Sequence, residues 1–189
     1  YLRMPPPASG SVNEDGRRAR SPEELQVRAT AQRLIADHLR PIELPRRAKI
    51  PEPNNGFWGA MSIDLTGAQL YDFTFSSCQL LDAAFDLATF AGRASFDGAR
   101  FQGDATFNGA EFTGGAWFSY GNFHAAAEFV NSRFGGRASF KAASFERPTG
   151  PNLDLARAKW ADDHIWPPGW HLGPADGKPG LPLKRSFPE

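Results

Sequence analysis

The chain has 189 residues, a formal net charge of zero at pH 7 and 41% hydrophobic residues. This content suffices for one buried domain with short appendages, and the balanced charge excludes a global field that would steer the chain toward nucleic acid or an anionic membrane surface. The single cysteine, Cys78, excludes an intramolecular disulfide and favours a reducing compartment, which we expect to be the cytoplasm.

Residues 1–20 form the first predicted segment, a disordered region or linker. It contains three consecutive prolines followed by small and polar residues, a composition that does not form a packed core. No apolar run in the chain approaches the roughly 20 residues needed to span a bilayer. We therefore expect no membrane contact from this sequence, although a segment upstream of it would be able to anchor it as the cytoplasmic part of a membrane protein.

Residues 21–57 are predicted to form a helix and a Pro-rich connector that cover one end of the domain. Ser21 is a suitable N-cap, Pro22 suits the first turn, and Glu24 completes a capping box. Four apolar residues share one face of this helix: Val27, Ala31, Leu34 and Ile35. We expect this face to pack on the end of the domain, with a dimer or partner contact as the alternative.

Residues 58–147 contain a repeat with a large apolar residue every five or six positions. Thirteen of the sixteen repeat centres are Phe and the others are Leu, and Ala stands two residues before eleven of them. The centres are residues 65, 70, 75, 80, 85, 90, 96, 101, 107, 112, 118, 123, 129, 134, 140 and 145. Each Ala-x-Phe triplet places two apolar side chains on one side of a short strand, and the Gly, Asp, Asn and Ser residues that follow suit a corner.

A chain that turns a corner after every repeat, with one side always inward, closes into a stack of coils. Four corners per coil predict an all-β solenoid, a quadrilateral β-helix of about four coils, in which residues 20 to 22 apart stack along each face. A hexapeptide β-helix would require six-residue spacing throughout, and calcium-binding rolls would require Gly-Gly-x-Gly-x-Asp repeats. The five-residue spacing from 65 to 90 and the absence of such glycine repeats disfavour both.

Residues 88–118, ATFAGRASFDGARFQGDATFNGAEFTGGAWF, resemble the pentapeptide-repeat family in its Phe-centred form. The resemblance implies a right-handed coil, and the beginning of the chain is similar to linkers in actinobacterial members of the family. It also implies a function, because some members resemble B-form DNA and bind DNA gyrase or topoisomerase IV.

Residues 148–189 are predicted to form an irregular C-terminal cap and tail. Leu155 and Trp160 are expected to add two degenerate repeats, and Trp166-Pro-Pro-Gly-Trp170 to pack as the cap. The Pro/Gly-rich residues from about 173 onward are expected to be irregular or mobile.

The sequence indicates a binding module more than an enzyme. Its four histidines lack metal-ligand spacing, Cys78 occupies an inward position, and the sequence Asp162-Asp163-His164 lacks an accompanying nucleophile motif, so we predict no catalytic site, cofactor or metal. Trp117 is predicted to lie outside the coil, flanked by serines and near two other candidates for protein binding, Tyr120 and His124. Packing of Trp117 against a residue of the tail or cap is the alternative.

The leading hypothesis is a scaffold for protein–protein interaction, with no direct contact to nucleic acid and with its partner and oligomeric state open. The alternative is a DNA-mimicking modulator of DNA gyrase or topoisomerase that confers resistance to topoisomerase inhibitors. That role would use an acidic face on the first coil: Asp64, Asp72, Asp82 and Asp86.

Overall fold

The computed structural model describes residues 22–41, 56–159 and 163–186. The predicted linker 1–20, the predicted N-cap Ser21, most of the connector, Trp160 and Asp162 lie outside these residues. The described residues comprise one helix, α1 (Pro22–Leu39), followed by sixteen strands. These are β1 (Met61–Asp64), β2 (Gln69–Thr74), β3 (Gln79–Ala84), β4 (Thr89–Ser95), β5 (Arg100–Phe101), β6 (Ala105–Thr106), β7 (Glu111–Phe112), β8 (Ala116–Trp117), β9 (Asn122–Phe123), β10 (Ala127–Glu128), β11 (Arg133–Phe134), β12 (Ala138–Ser139), β13 (Ser144–Phe145), β14 (Arg157–Ala158), β15 (Trp170–Leu172) and β16 (Leu181–Arg185).

The strands form two sheets, of seven and nine strands, and each sheet covers two neighbouring faces of a β-solenoid. The long strands show how a sheet bends around a corner. One end of β3 pairs with β5 and its other end with β6, and β4 divides in the same way between β7 and β8. Pairing is parallel throughout the coils, so each coil adds one layer to both sheets and the predicted solenoid of about four coils is confirmed.

Phenylalanine rings from successive coils stack in four columns inside the solenoid, as the spacing predicted. Neighbouring rings in a column lie 4.7–5.1 Å apart with interplanar angles of 0–12°. The columns are Phe85-Phe107-Phe129, Phe90-Phe112-Phe134, Phe96-Phe118-Phe140 and Phe101-Phe123-Phe145. The alanines beside them are buried, except Ala143 at the end of one column, because the rings leave no room for a second large side chain.

The interior of the first coil is filled by leucines and one additional phenylalanine. Three of its four centres are Leu65, Leu70 and Leu80, which are smaller than phenylalanine. Phe73, at a position that is usually Ala, places its ring 4.3 Å from that of Phe75 and occupies the space that the leucines leave. It also contacts three rings of the next coil.

Helix α1 packs on the open edge of this first coil through a face that includes polar residues. Gln32 pairs with the backbone of Tyr71 as a neighbouring strand would: its Nε2 donates to the carbonyl oxygen at 2.8 Å, and its Oε1 accepts from the amide at 3.0 Å. Arg40 donates to the carbonyl of Ser76 at 3.0 Å. Helix residues Ala36 and Leu39 are buried below these contacts. The helix therefore supplies both apolar cover and hydrogen-bond partners to a sheet edge that would otherwise be exposed.

The predicted packing face of the helix was partly wrong. Val27 and Leu34 are 53% and 51% exposed, whereas Arg28 and Gln32 are buried. Ala31 and Ile35, the other two residues of that face, do pack against the core. The packing face is rotated from the apolar stripe because the sheet edge presents unpaired amides and carbonyls, which only polar side chains can satisfy.

The C-terminal cap also differs from the prediction. The coil continues with Leu153 and Ala158, which are fully buried, and Leu155 is a 74% exposed corner residue. Residues 181–185, predicted to lie in an irregular tail, form β16, which is antiparallel to both β14 and β15. Trp170 packs in the cap and donates from Nε1 to the carbonyl of Pro151 at 3.2 Å. Among the described residues, no helix combines the length and apolar character required to cross a membrane.

Candidate functional site

Trp117 lies on the outside of the nine-stranded sheet, between Ser95 of the preceding coil and Ser139 of the following coil. The guanidinium carbon of Arg93 lies 4.6 Å from the centroid of the indole, in a cation–π contact. On its other flank the indole covers Gly115, where a Cβ atom would come within 2.0 Å of the ring. Trp117 is thus held flat against its own face by Arg93 and a glycine, and it remains partly exposed.

Tyr120 and His124 do not join this pair in one cluster. Tyr120 is 58% exposed at a corner with a φ of 57°, a left-handed conformation that is uncommon for a bulky residue. His124 follows β9 on the other sheet, and its Nδ1 is paired with Oε1 of Glu146 at 2.6 Å. The three predicted residues therefore lie on two different sheets and on the corner between them. The side chain that packs on the indole of Trp117 is that of Arg93. The repeat spacing was sufficient to find Arg93. It pairs Ser95 with Trp117, and Arg93, two positions before Ser95, points to the same side of the strand.

The four aspartates of the predicted acidic face are divided between the two sheets. Asp64 and Asp82 belong to strands of the seven-stranded sheet, and Asp86 lies two residues beyond the end of β3 in that sheet. Asp72 belongs to β2, in the nine-stranded sheet. Negative charge is consequently spread around the first coil and does not form a single row.

These carboxylates also act as hydrogen-bond acceptors for the backbone of the next coil. Asp72 Oδ1 accepts from the amide of Arg93 at 3.1 Å, Asp82 Oδ1 from that of Asp104 at 3.1 Å, and Asp86 Oδ1 from that of Asn108 at 2.7 Å. The pattern continues along the solenoid, where Asp104 and Asn108 accept from amides 22 residues further on. Such bonds satisfy amides at corners, where no strand partner is available. Asp64 instead accepts from Thr66 within its own corner, at 3.0 Å.

The remaining reactive side chains serve the structure. Cys78 is buried and donates from Sγ to the carbonyl of Ala36 at 3.5 Å, and burial raises the pKa of its thiol to about 11. Asp163 pairs with Arg137 at 3.5 Å. His164 accepts the amide hydrogen of Ala138 through Nδ1 and contacts a backbone carbonyl through Nε2. No group of His, Cys, Asp and Glu suited to a metal ion occurs within the described part of the chain.

A groove that the sequence did not predict lies beside the C-terminal cap. It has a volume of about 730 Å³ and runs between the outer surface of the nine-stranded sheet and the segment 176–184. We call it the C-terminal groove and define it by Glu111, Arg133, Leu155, Lys178, Pro182 and Lys184. The repeat pattern places Arg133 and Glu111 on one outer face, but the segment that forms the opposite wall has no repeat to reveal its position.

The repeated part of the chain matches a known family. Residues 64–121 match the family model for pentapeptide repeats, with nine copies of the repeat. No curated protein and no solved structure matches the chain. The matched residues include the first coils described above, with their stacked rings and short parallel strands. Residues 64–121 are therefore a segment of pentapeptide repeats.

Proposed function

We propose that this protein is a non-enzymatic module for protein–protein interaction, with the outer face around Trp117 as a contact site. The observation that carries the proposal is the Arg93–Trp117 pair, at 4.6 Å, held over Gly115 on a rigid sheet. Tryptophan and arginine are the side chains that most often dominate binding energy at protein interfaces. Because the pair is already assembled, little side-chain entropy is lost when a partner covers it.

The architecture supports binding more than catalysis. The axis of the solenoid is filled by phenylalanine rings, and the exposed surface consists of short flat strands. The described histidines and the cysteine are occupied by structural contacts or pair with a single carboxylate. We place the module in the cytoplasm, because the single cysteine is a buried thiol and not part of a disulfide.

The topoisomerase hypothesis has less support from the surface. A DNA mimic would present a dense row of carboxylates, whereas Asp72 lies on a different sheet from Asp64 and Asp82. A supercoiling assay with purified gyrase tests this alternative directly. Inhibition by the chain, abolished by charge reversal at Asp72 and Asp82, would replace the proposal above.

The proposed site is tested by comparing partners captured from a cell extract by the immobilised chain and by two variants. Trp117→Ala removes the anchor, and we expect a loss of about 2 kcal/mol or more, corresponding to roughly 30-fold weaker binding of any partner that covers it. Trp58→Ala is the matched control, because Trp58 is 57% exposed and lies near helix α1, away from this face. Identical sets of captured proteins from all three chains would refute the Trp117 site.

A further inference from the structure

The C-terminal groove has a wall that is fixed by one arginine. The side chain of Arg157, on β14, forms two bonds with the carboxylate of Asp176, at 2.9 and 2.6 Å. It also donates to the carbonyl oxygens of Pro179, Lys178 and Gly180. The guanidinium is used almost entirely in holding this segment. The groove is therefore preorganised, which lowers the entropic cost of binding a ligand there.

Positive charge in the groove exceeds negative charge. Arg133, Lys178 and Lys184 line it, and none of their side chains forms an ion pair or a hydrogen bond with another described residue. Asp176 is neutralised by Arg157, which leaves Glu111 as the one unpaired carboxylate among the lining residues. Three cations against one anion favour a negatively charged ligand.

The groove also presents an exposed apolar residue at a corner of the coil. Leu155 is 74% exposed and has a φ of 59°, in the left-handed region that a leucine rarely adopts. The equivalent corner of the preceding coil carries Asn131, a residue that tolerates this conformation. Exposed apolar surface beside unpaired charges is typical of a binding site. Pro182 extends this apolar surface along the groove.

From this combination we infer that the C-terminal groove binds an acidic peptide segment that also carries an aliphatic side chain. The cations would pair with its carboxylates, and Leu155 and Pro182 would contact the aliphatic group. A free phosphate would use the cations only. A single-stranded nucleic acid would require aromatic side chains for base stacking, and the residues that line the groove include none.

The inference is tested with the full chain and a fluorescein-labelled peptide of alternating Glu and Leu residues, followed by fluorescence anisotropy. We expect saturable binding with a Kd below about 1 mM, the range of weak specific recognition. A peptide with Gln in place of Glu, and one with Ser in place of Leu, should each bind about tenfold more weakly or worse. Binding should also weaken as salt increases, because exposed charges are screened.

Variants of the protein locate the site. The double change Lys178→Glu and Lys184→Glu should weaken binding at least tenfold, whereas Lys141→Glu should leave it unchanged, because Lys141 is exposed but lies outside the groove. Leu155→Asn copies the corner of the preceding coil and so preserves the fold. It should reduce affinity but retain the salt dependence.

Three results would overturn the inference: no binding of the Glu-Leu peptide at about 1 mM, equal losses for the groove variants and Lys141→Glu, or binding of an oligonucleotide or inorganic phosphate in preference to the peptide. The inference adds a second site to the proposed interaction module. Trp117→Ala should leave binding of the peptide unchanged, so the two sites can fail independently.

Discussion

Phe107 occupies the centre of the ring lattice, and its removal is the most direct test of the fold. The ring is fully buried and stacks between Phe85 and Phe129, with centroids at 5.0 and 4.7 Å. Its edges contact Phe96 and Phe118 at 5.3 and 5.4 Å. A buried Phe→Ala change costs about 3–5 kcal/mol, and the loss is greatest where neighbours cannot collapse into the cavity. Here coils on both sides fix those neighbours, so we expect Phe107→Ala to lose about 4–5 kcal/mol.

Phe145→Ala is the matched control at the end of a column. Its ring is only partly buried and stacks on one neighbour, Phe123, at 4.9 Å. We expect a loss of about 1–2 kcal/mol, since less apolar surface returns to water in this variant. Urea unfolding followed by circular dichroism measures both changes through the shift of the midpoint at constant slope. Equal losses for the two variants, or less than about 1 kcal/mol for Phe107→Ala, would refute the packing argument.

Three further predictions follow from other contacts. Burial raises the pKa of the Cys78 thiol to about 11, so the free energy of unfolding is unaffected by this group below pH 9.0 and falls as pH rises toward 11. Alkylation of Cys78 at pH 8 should therefore require unfolding. Rapid labelling of the native chain would contradict this. Hydrogen bonds from Arg157 lower the pKa of Asp176 below its usual 3.8, so segment 176–180 should resist proteolysis down to about pH 4 and become cleavable only at lower pH. In the Asp176→Asn variant the segment should be cleaved faster already at pH 7. Equal resistance of the variant and the unmodified chain would contradict this role of the ion pair. Gln32→Ala removes two hydrogen bonds to the backbone of Tyr71 and should cost about 2 kcal/mol in urea unfolding. An unchanged midpoint of unfolding would contradict the capping role.

The interior of the solenoid was predictable because one physical requirement recurs at every repeat. Each coil must place four large residues inward, and the spacing of five or six residues sets which rings stack. The columns through Phe107 and Phe112 follow from this arithmetic alone. The position of Trp117 between two serines follows from the same register.

The ends were less predictable because the repeat does not determine them. Apolar periodicity placed Val27 and Leu34 of the helix against the domain, but the sheet edge required hydrogen-bond partners, and Gln32 supplies them. After Phe145, the last phenylalanine of the repeat, an insertion shifts the register between coils from 22 to 24 residues. Leu153 therefore lies next to Phe129, and Leu155 becomes a corner residue. A short insertion cannot be recognised from composition once the repeat has ended.

The acidic corners show why surface function is harder to infer than the core of such a fold. An aspartate at a corner can provide charge to a partner, or it can accept the backbone amide of the next coil. Sequence alone does not separate these roles, since both favour an outward carboxylate at a corner. Asp82 and Asp86 take the second role, and Asn108 performs it without charge. Because asparagine can replace aspartate in this contact, the count of carboxylates in the repeat measures a structural requirement and is weak evidence for DNA mimicry. Charge without a structural partner, as at Arg133 and Lys184, is the better guide to where this solenoid binds.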